Sequence, residues 1–220
     1  MVPARFARLT SILDRRQPDL TVLTDQVHKP HNVSAIIRTC DAVGIFEIHA
    51  IDPEVSFAPH HLSAGGSGRY VGLRTYATPD AALVQLRQQG FTIVAAHFAP
   101  GAVDFRQVDY TRPTALLLGA ERDGLSPAAE AGADLSVVIP MLGAVTSLNV
   151  SVAAAVILFE AQRQRLDAGL YATSRLDPTR RHQILFEWAY PRLAEFCRRK
   201  RLTYPRLGSQ GELLDPLPRG

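Results

Sequence analysis

The chain has 220 residues and a mass of 24.1 kDa, and 46% of its residues are apolar, which is enough for one packed domain with a terminal extension and argues against a disordered chain. Its two cysteines, Cys40 and Cys197, lack the spacing of a zinc site or a disulfide framework, so we expect a cytoplasmic protein. The longest apolar run, residues 152–159, is too short to span a bilayer, and the Arg-containing N-terminus does not resemble a secretory signal. We therefore expect no membrane association.

The net charge of +3 is unevenly distributed along the chain. Residues 1–20 hold four Arg and two Asp, and residues 161–206 hold eleven Lys or Arg and four Asp or Glu. The two segments therefore carry +2 and +7, which leaves −6 for the other residues. Two basic ends on an acidic body are typical of a protein that binds nucleic acid. Solvated helix faces would give the same pattern, and charge alone does not decide between the two interpretations.

The predicted elements alternate between helices and strands. An amphipathic helix begins near Pro3, with its apolar residues on one face and its arginines on the others. Apolar runs predict strands at 20–27, 46–52, 91–98, 114–119 and 135–141. Helical patterns lie at 31–43, 78–89, 126–133, in a long apolar segment that runs to about 165, and in a basic segment at 178–201. This alternation predicts an α/β fold with a mainly parallel sheet and helices on both faces.

The domain organisation follows from the same patterns. We predict an N-terminal basic helix at 1–18, an α/β domain at 19–168, and a basic helical extension at 169–220. The Pro- and Gly-rich residues after about 204 predict an extended tail.

Two patterns that often bind ligands do not support a site. The GGSG of residues 65–68 lacks the Lys-Ser/Thr of a P-loop and precedes a strand-like segment, so we interpret it as a turn. The seven histidines, among them the pair His60 and His61, show no metal-binding spacing, so we expect no metal ion.

Polar side chains lie at three places where a predicted strand leads into a helix. Asn32 and Arg38 follow the first strand, Glu121 follows the buried strand at 114–119, and Ser147 and Asn149 precede the long apolar helix. Ligands of open α/β sheets collect at the carboxyl ends of the strands. We therefore expect the three segments to meet in one crevice.

Together, the three segments resemble the motifs of the SPOUT superfamily of α/β-knot RNA methyltransferases, and within it the TrmH family of tRNA guanosine 2′-O-methyltransferases. The matching residues are Asn32 and Arg38 in the first motif, Gly119 and Glu121 in the second, and Ser147, Leu148 and Asn149 in the third. The resemblance covers nearly the whole chain and implies a deep trefoil knot near the C-terminal end of the domain. The strand and helix pattern alone predicts an unknotted sheet.

The resemblance also implies an activity. The implied enzyme is a homodimer that uses S-adenosyl-L-methionine (SAM) to methylate the ribose 2′-hydroxyl of the D-loop guanosine at position 18 of tRNA. Two alternatives stay open. One is 2′-O-methylation of rRNA or of another tRNA ribose, since sister families share the motifs. The other is a non-catalytic RNA-binding protein with the knot fold.

Residue roles follow from the same resemblance. Cofactor contacts are expected at Ala96, Gly119, Ile139, Met141 and Leu148, and catalytic or substrate-organising roles at Asn32, Arg38, Glu121, Ser147 and Asn149. Members of the family have been proposed to use the arginine as a base. Because Arg stays protonated, we instead expect Arg38 to hold a phosphate or the developing alkoxide, oriented by Asn32. The alternative for Arg38 is an ordinary helix-surface pair with Asp41.

Contacts to the phosphates of tRNA are expected from both basic ends and from two residues beside the active site. The residues are Arg5, Arg8, Arg15, Arg16, Arg163, Arg165, Lys29 and His31.

Overall fold

The computed structural model describes residues 1–52 and 66–216, so His60, His61 and the first glycine of the GGSG turn lie outside the described residues. The chain divides into two compact units, one of residues 17–170 and one that combines residues 1–16 with 171–220. The first helix and the C-terminal extension, which the sequence patterns treat as separate segments, thus fall within one unit.

Residues 17–170 build a seven-stranded sheet in which every pairing is parallel. The strands are β1 (Leu20–Asp25), β2 (Glu47–Ile51), β3 (Gly72–Tyr76), β4 (Thr92–Ala96), β5 (Val103–Asp104), β6 (Thr114–Leu118) and β7 (Leu135–Val138). Their order across the sheet is β3-β2-β1-β6-β4-β7-β5. The predicted parallel sheet is confirmed, and β5 is a short strand that the apolar pattern does not predict.

Helices cover both faces of this sheet, as the sequence predicts. They are α2 (Pro30–Ala42), α3 (Pro79–Gln88), α4 (Pro127–Ala131) and α5 (Val150–Asp167). On one face, Ile36 and Ile37 of α2 share a buried cluster with Ile157 and Leu158 of α5. On the other face, the apolar residues of α3 and α4 pack with inward residues of β1, β4 and β6. The central strands are therefore screened from water on both faces, which explains why β1 and β6 are buried throughout, whereas the edge strand β3 is partly exposed.

Residues 1–16 and 171–216 form a helical unit. Its helices are α1 (Pro3–Asp14), α6 (Pro178–Ala189) and α7 (Pro191–Lys200). Helix α1 packs on α6 through an apolar face that buries Phe6, Leu9 and Leu13, and Arg181 donates two hydrogen bonds to Asp14 at 2.6 and 2.9 Å.

Two sequence expectations for this unit are corrected by the structure. The basic segment at 178–201 is two helices, because Pro191 has no N–H and disfavours the helical conformation for Tyr190, which has φ −130° and ψ 60°. The tail after residue 204 doubles back instead of extending, with a bridge between Leu207 and Leu213. The Tyr190 hydroxyl donates to the carbonyl of Gly211 at 2.6 Å and holds this return.

No helix in the described parts of the chain is both long and apolar enough to cross a membrane.

Candidate active site

The carboxyl ends of β1, β6, β4 and β7 are neighbours at one edge of the sheet. A cavity of about 340 Å³ lies at this edge. Its walls come from the end of β4, the segment after β6, and the loop and first turn at the beginning of α5. The wall residues are Ala96, His97, Leu118, Gly119, Ala120, Glu121, Gly124, Leu125, Ser147, Leu148, Asn149, Val150 and Ala153. Three predicted cofactor contacts and three predicted catalytic residues therefore line one cavity, as the strand-end argument requires.

Asn149 is the centre of a hydrogen-bond network that joins the three motif segments. Its amide nitrogen donates to Glu121 Oε1 at 2.5 Å and to Asn32 Oδ1 at 3.1 Å. Its amide oxygen accepts from the Ser151 backbone N–H at 2.9 Å, which caps α5, and from the Ser151 hydroxyl at 2.6 Å. Asn149 thus does more than cap α5, because it also connects the helix to the segments that follow β1 and β6.

Glu121 is held as an anion in this network. Its second carboxylate oxygen pairs with the ammonium of Lys29, and only 19% of its side chain is exposed. The hydrogen bond from Lys29, the nearby side-chain amide of Asn32 and the positive charges of Lys29 and His31 lower the pKa of Glu121 below its ordinary value. A carboxylate with a lowered pKa is a weak base, so Glu121 is suited to orient neighbouring groups and poorly suited to remove a proton at neutral pH.

Arg38 lies on the exposed side of α2, six residues after the buried Asn32. Its guanidinium forms no hydrogen bond or ion pair with residues 1–52 or 66–216, so the alternative of a pair with Asp41 is not observed. The expected orientation of Arg38 by Asn32 is also not observed, because Asn32 Oδ1 accepts from Asn149 instead. The arginine remains available to an anionic substrate.

Gly119 is required by the close approach of two backbone segments. A Cβ atom at this position would lie 2.4 Å from the carbonyl carbon of Gly124 and 2.6 Å from the nitrogen of Leu125. The approach is fixed by paired hydrogen bonds between Ala120 and Gly124, both at 2.9 Å, which fold the segment that carries Glu121 over the end of β6. Any larger residue at 119 would open this fold.

The loop between β7 and α5 supplies part of the cavity wall. Residues 140–148 of this loop make no hydrogen bond with the described parts of the chain, so their backbone groups are open to solvent or ligand. Ser147 and Leu148 line the cavity, whereas the predicted cofactor residues Ile139 and Met141 do not belong to its wall. Ile139 packs against the apolar core instead.

Two predicted phosphate contacts are contradicted by the structure. Arg165 has a fully buried side chain that pairs with Asp19, and Arg16 is 1% exposed with its guanidinium 5.8 Å from the ring centre of Trp188. Neither guanidinium reaches the surface, so neither is placed to contact RNA. Helical position and charge suggested exposure, but both side chains are held by partners distant in sequence.

The other predicted phosphate contacts are exposed. Arg5 and Arg8 lie on the outer face of α1, Arg15 directly follows its last residue, and His31 lies at the beginning of α2. Arg163 is exposed but paired with Glu160 at 2.7 Å and Asp167 at 2.8 Å, which reduces its positive field. A larger cavity of about 910 Å³ in the helical unit includes Arg15 in its wall, but its lining contains no predicted catalytic residue.

Several wall residues were missed by the sequence prediction. His97 follows Ala96 and pairs with Glu130 at 3.2 Å, and Ala153 lies one helical turn after Asn149. The sequence could have indicated both residues, because His97 is adjacent to the predicted Ala96 and Ala153 lies on the same helix face as the predicted Asn149. Within the described ranges, no group of three or more His, Cys, Asp or Glu side chains is arranged to hold a metal ion.

The chain is similar to known proteins over most of its length. Residues 19–159 match the profile of the SpoU rRNA Methylase family, and residues 163–216 match that of the SpoU rRNA methylase C-terminal region. The tRNA (guanosine(18)-2′-O)-methyltransferase of Escherichia coli K12 is 51% identical over 215 residues, which cover 97% of this chain and 94% of that protein.

Solved structures agree with these matches. The crystal structure of the Aquifex aeolicus TrmH/SpoU tRNA modifying enzyme superposes with a TM-score of 0.75 at 40% identity, over 86% of this chain and 96% of that one. The SpoU methyltransferase AviRb of Streptomyces viridochromogenes, solved in complex with its cofactor AdoMet (SAM), gives 0.58 at 30% identity, over 70% of this chain and 59% of that one. The chain belongs to the SpoU rRNA Methylase family.

Proposed function

We propose that this chain is a SAM-dependent tRNA 2′-O-ribose methyltransferase that acts on guanosine 18 of the D-loop. The observation that carries the proposal is the Asn149 network, which joins all three motif segments beside one cavity that the second and third of them line. The names of the relatives supply the substrate, since the Escherichia coli protein is a tRNA (guanosine(18)-2′-O)-methyltransferase.

The cavity suits SAM in size and chemistry. Its volume of about 340 Å³ lies within the range of small-molecule pockets, roughly 300–1,000 Å³. Leu118, Leu125 and Val150 contribute apolar side chains to its wall, and Ser147 and Leu148 contribute backbone groups that make no hydrogen bond with the described residues. Ala96, Gly119 and Leu148 are the predicted cofactor residues in its wall, so these are the positions that would hold the ligand.

SAM supplies a methyl group already activated on a sulfonium, so the protein must align the ribose 2′-oxygen with it and make that oxygen nucleophilic. Alignment can contribute up to roughly 7–11 kcal/mol, whereas general-base help typically gives about 10²- to 10⁴-fold in rate. Arg38 is free to bind a phosphate or the developing alkoxide in a planar, bidentate way. Glu121, with its lowered pKa, keeps Asn149 oriented at the cavity rim.

We also propose that the domain carries the trefoil knot that the resemblance to the SPOUT superfamily implies. Two features support it. Strand β7 lies between β4 and β5, which both precede it in the chain, and the segment after β7 returns to α5, which packs on α2. A cytoplasmic location is part of the same proposal, and the free thiols of Cys40 and Cys197 agree with it.

The proposed assembly is a homodimer in which a second copy covers α5. Val152, Val156 and Phe159 form a stripe at i, i+4 and i+7 on this helix, and they are 46%, 36% and 50% exposed. An apolar stripe on a helix whose opposite face is already in the core is suited to a self-complementary interface. Light scattering should give twice the chain mass, and Val156→Glu should give the monomer. A monomeric wild-type protein would reject the homodimer.

The test of the activity is transfer of radiolabelled methyl from SAM to unmodified tRNA, with the product mapped by resistance to alkaline hydrolysis. One protected position at guanosine 18 is expected, and tRNA with 2′-deoxyguanosine at that position is the matched control that should not be labelled. The family description makes rRNA the second candidate substrate. Labelling of rRNA instead of tRNA would therefore assign the enzyme to rRNA. Cofactor binding without labelling of any RNA would favour the non-catalytic alternative.

A further inference from the structure

Lys29 occupies an unusual position for a residue expected to contact RNA. It is the residue before α2, and 60% of its side chain is exposed, yet its ammonium pairs with Glu121, which lies 92 positions later in the chain. The pair uses only Oε2 of Glu121 and leaves Oε1 to accept from Asn149. Lys29, Glu121 and Asn149 therefore form one continuous chain of contacts that ends at the N-terminus of α5.

The hydrogen-bonding capacity of the Asn149 side chain is fully used. Its nitrogen donates to Glu121 and Asn32, and its oxygen accepts from the backbone N–H and hydroxyl of Ser151. Because the N–H of Ser151 can only donate, the amide cannot be turned over without losing the helix cap. The orientation of Asn149 at the cavity wall thus depends on Glu121 keeping its own position.

Glu121 has two anchors, and Lys29 is one of them. Without the ammonium, Oε2 would lose its cation, and the carboxylate could rotate toward water and withdraw Oε1 from Asn149. The same pair occupies the positive charge of Lys29, so a tRNA phosphate would have to compete with Glu121 for it. In contrast, Arg5 on α1 is exposed and makes no ion pair or side-chain hydrogen bond with the described residues.

We propose that Lys29 is a positioning residue for methyl transfer, which acts through Glu121 on Asn149, and that it is not a phosphate contact. The inference rests on the proposed function and assigns Lys29 a role different from the one that its charge suggests.

The first test is a comparison of Lys29→Gln, Lys29→Arg and Arg5→Gln in steady-state methylation of tRNA at several salt concentrations. Lys29→Gln should lower kcat by between about tenfold and a hundredfold, with KM for tRNA and its salt dependence within about twofold of wild type. Lys29→Arg keeps the ion pair and should recover most of the loss. Arg5→Gln should instead raise KM and reduce the salt slope by about one. If Lys29→Gln behaves like Arg5→Gln, or like wild type, the proposal is wrong.

The second test is a double-mutant cycle between Lys29 and Glu121. Since both residues act through Asn149, Lys29→Gln should cost nothing further in kcat once Glu121→Gln is present. Additive losses would mean that Lys29 acts independently of Glu121 and would overturn the proposal.

The proposal can be separated from the proposed function. If the wild-type protein methylated no RNA, the function would be rejected, but the same cycle could be measured on the urea midpoint of unfolding. Coupling between Lys29 and Glu121 in that experiment, with none between Arg5 and Glu121, would support the contact chain without any activity. Equal midpoint shifts of Lys29→Gln in the presence and absence of Glu121 would reject it.

Discussion

The guanidinium of Arg165 donates to the carboxylate of Asp19, 146 positions earlier in the chain, with Nη1 2.7 Å from Oδ1. The same guanidinium donates to the side chain of Gln17 at 3.0 Å and to the carbonyl oxygens of Asp19, Tyr110 and Arg112 at 3.1, 2.8 and 3.1 Å. All five N–H groups of Arg165 are therefore used. They join the last turn of α5 to the segments that precede β1 and β6.

Arg165→Met should destabilise residues 17–170 strongly, because it leaves the partly buried Asp19 and three carbonyl groups without their donor. The expected loss in the free energy of unfolding is about 3–5 kcal/mol, measured by urea denaturation. Arg163→Met is the matched control two residues earlier, where the exposed pairs with Glu160 and Asp167 should be worth less than about 1 kcal/mol. Equal losses in the two variants would contradict a structural role for Arg165.

Gly119→Ala should damage the cofactor cavity. Its methyl group would meet the Gly124 backbone at 2.4 Å, and the segment that carries Glu121 would have to move. We expect a loss of about 1–3 kcal/mol in stability and a clear fall in SAM affinity by calorimetry. Gly143→Ala is the control in the neighbouring loop, because an added Cβ there meets no atom within 4 Å. Unchanged SAM binding by Gly119→Ala would show that this close approach does not shape the site.

Arg38→Lys should lower kcat by about a hundredfold, since it keeps the charge but loses the planar guanidinium that holds two oxygens at once. Arg112→Lys is a control on the same unit, where an exposed guanidinium pairs with Asp109. Single-turnover methylation of tRNA separates this chemical effect from binding. If the Arg38→Lys variant kept most of the wild-type turnover, planar positioning by Arg38 would be the wrong explanation.

His49 makes the stability of residues 17–170 depend on pH. Its side chain is 2% exposed, hydrogen-bonded through Nδ1 to the Tyr76 hydroxyl at 2.9 Å, and close to Arg74 and Glu47. Burial, with a smaller contribution from the charge of Arg74, lowers the pKa of His49 from 6.5 to about 4. The folded protein therefore disfavours the protonated form that the unfolded chain accepts.

The stability contribution of neutral His49 should be complete above pH 6.5 and should be lost progressively as the pH falls from 6.5 to about 4. The expected loss is roughly 3 kcal/mol. Urea unfolding at a series of pH values across this window should show the slope in wild type, and His49→Gln should reduce it by one proton equivalent. The exposed His31→Gln serves as the control. An unchanged slope in His49→Gln would assign the pH dependence to other groups.

The sheet itself was predictable from local patterns. Apolar runs of strand length that alternate with helical periods require a parallel sheet covered on both faces, and this is what surrounds β1 and β6. The meeting of Asn32, Glu121 and Asn149 was also predictable, because residues that follow parallel strands share one edge of the sheet.

By itself, the sequence determined most of the strands and helices and which polar residues stand at the strand ends, since these depend on residue type and spacing along the chain; the short strand β5 and the break at Tyr190 were not predicted. The tertiary structure decided which charged side chains are free. Arg165 and Arg163 are two residues apart in one helix, yet the first is buried by partners up to 148 positions away and the second is exposed. Lys29 likewise finds Glu121 across 92 positions. Burial and pairing of a charge depend on atoms that the fold brings together from distant parts of the chain. The local spacing of residue types therefore does not predict them.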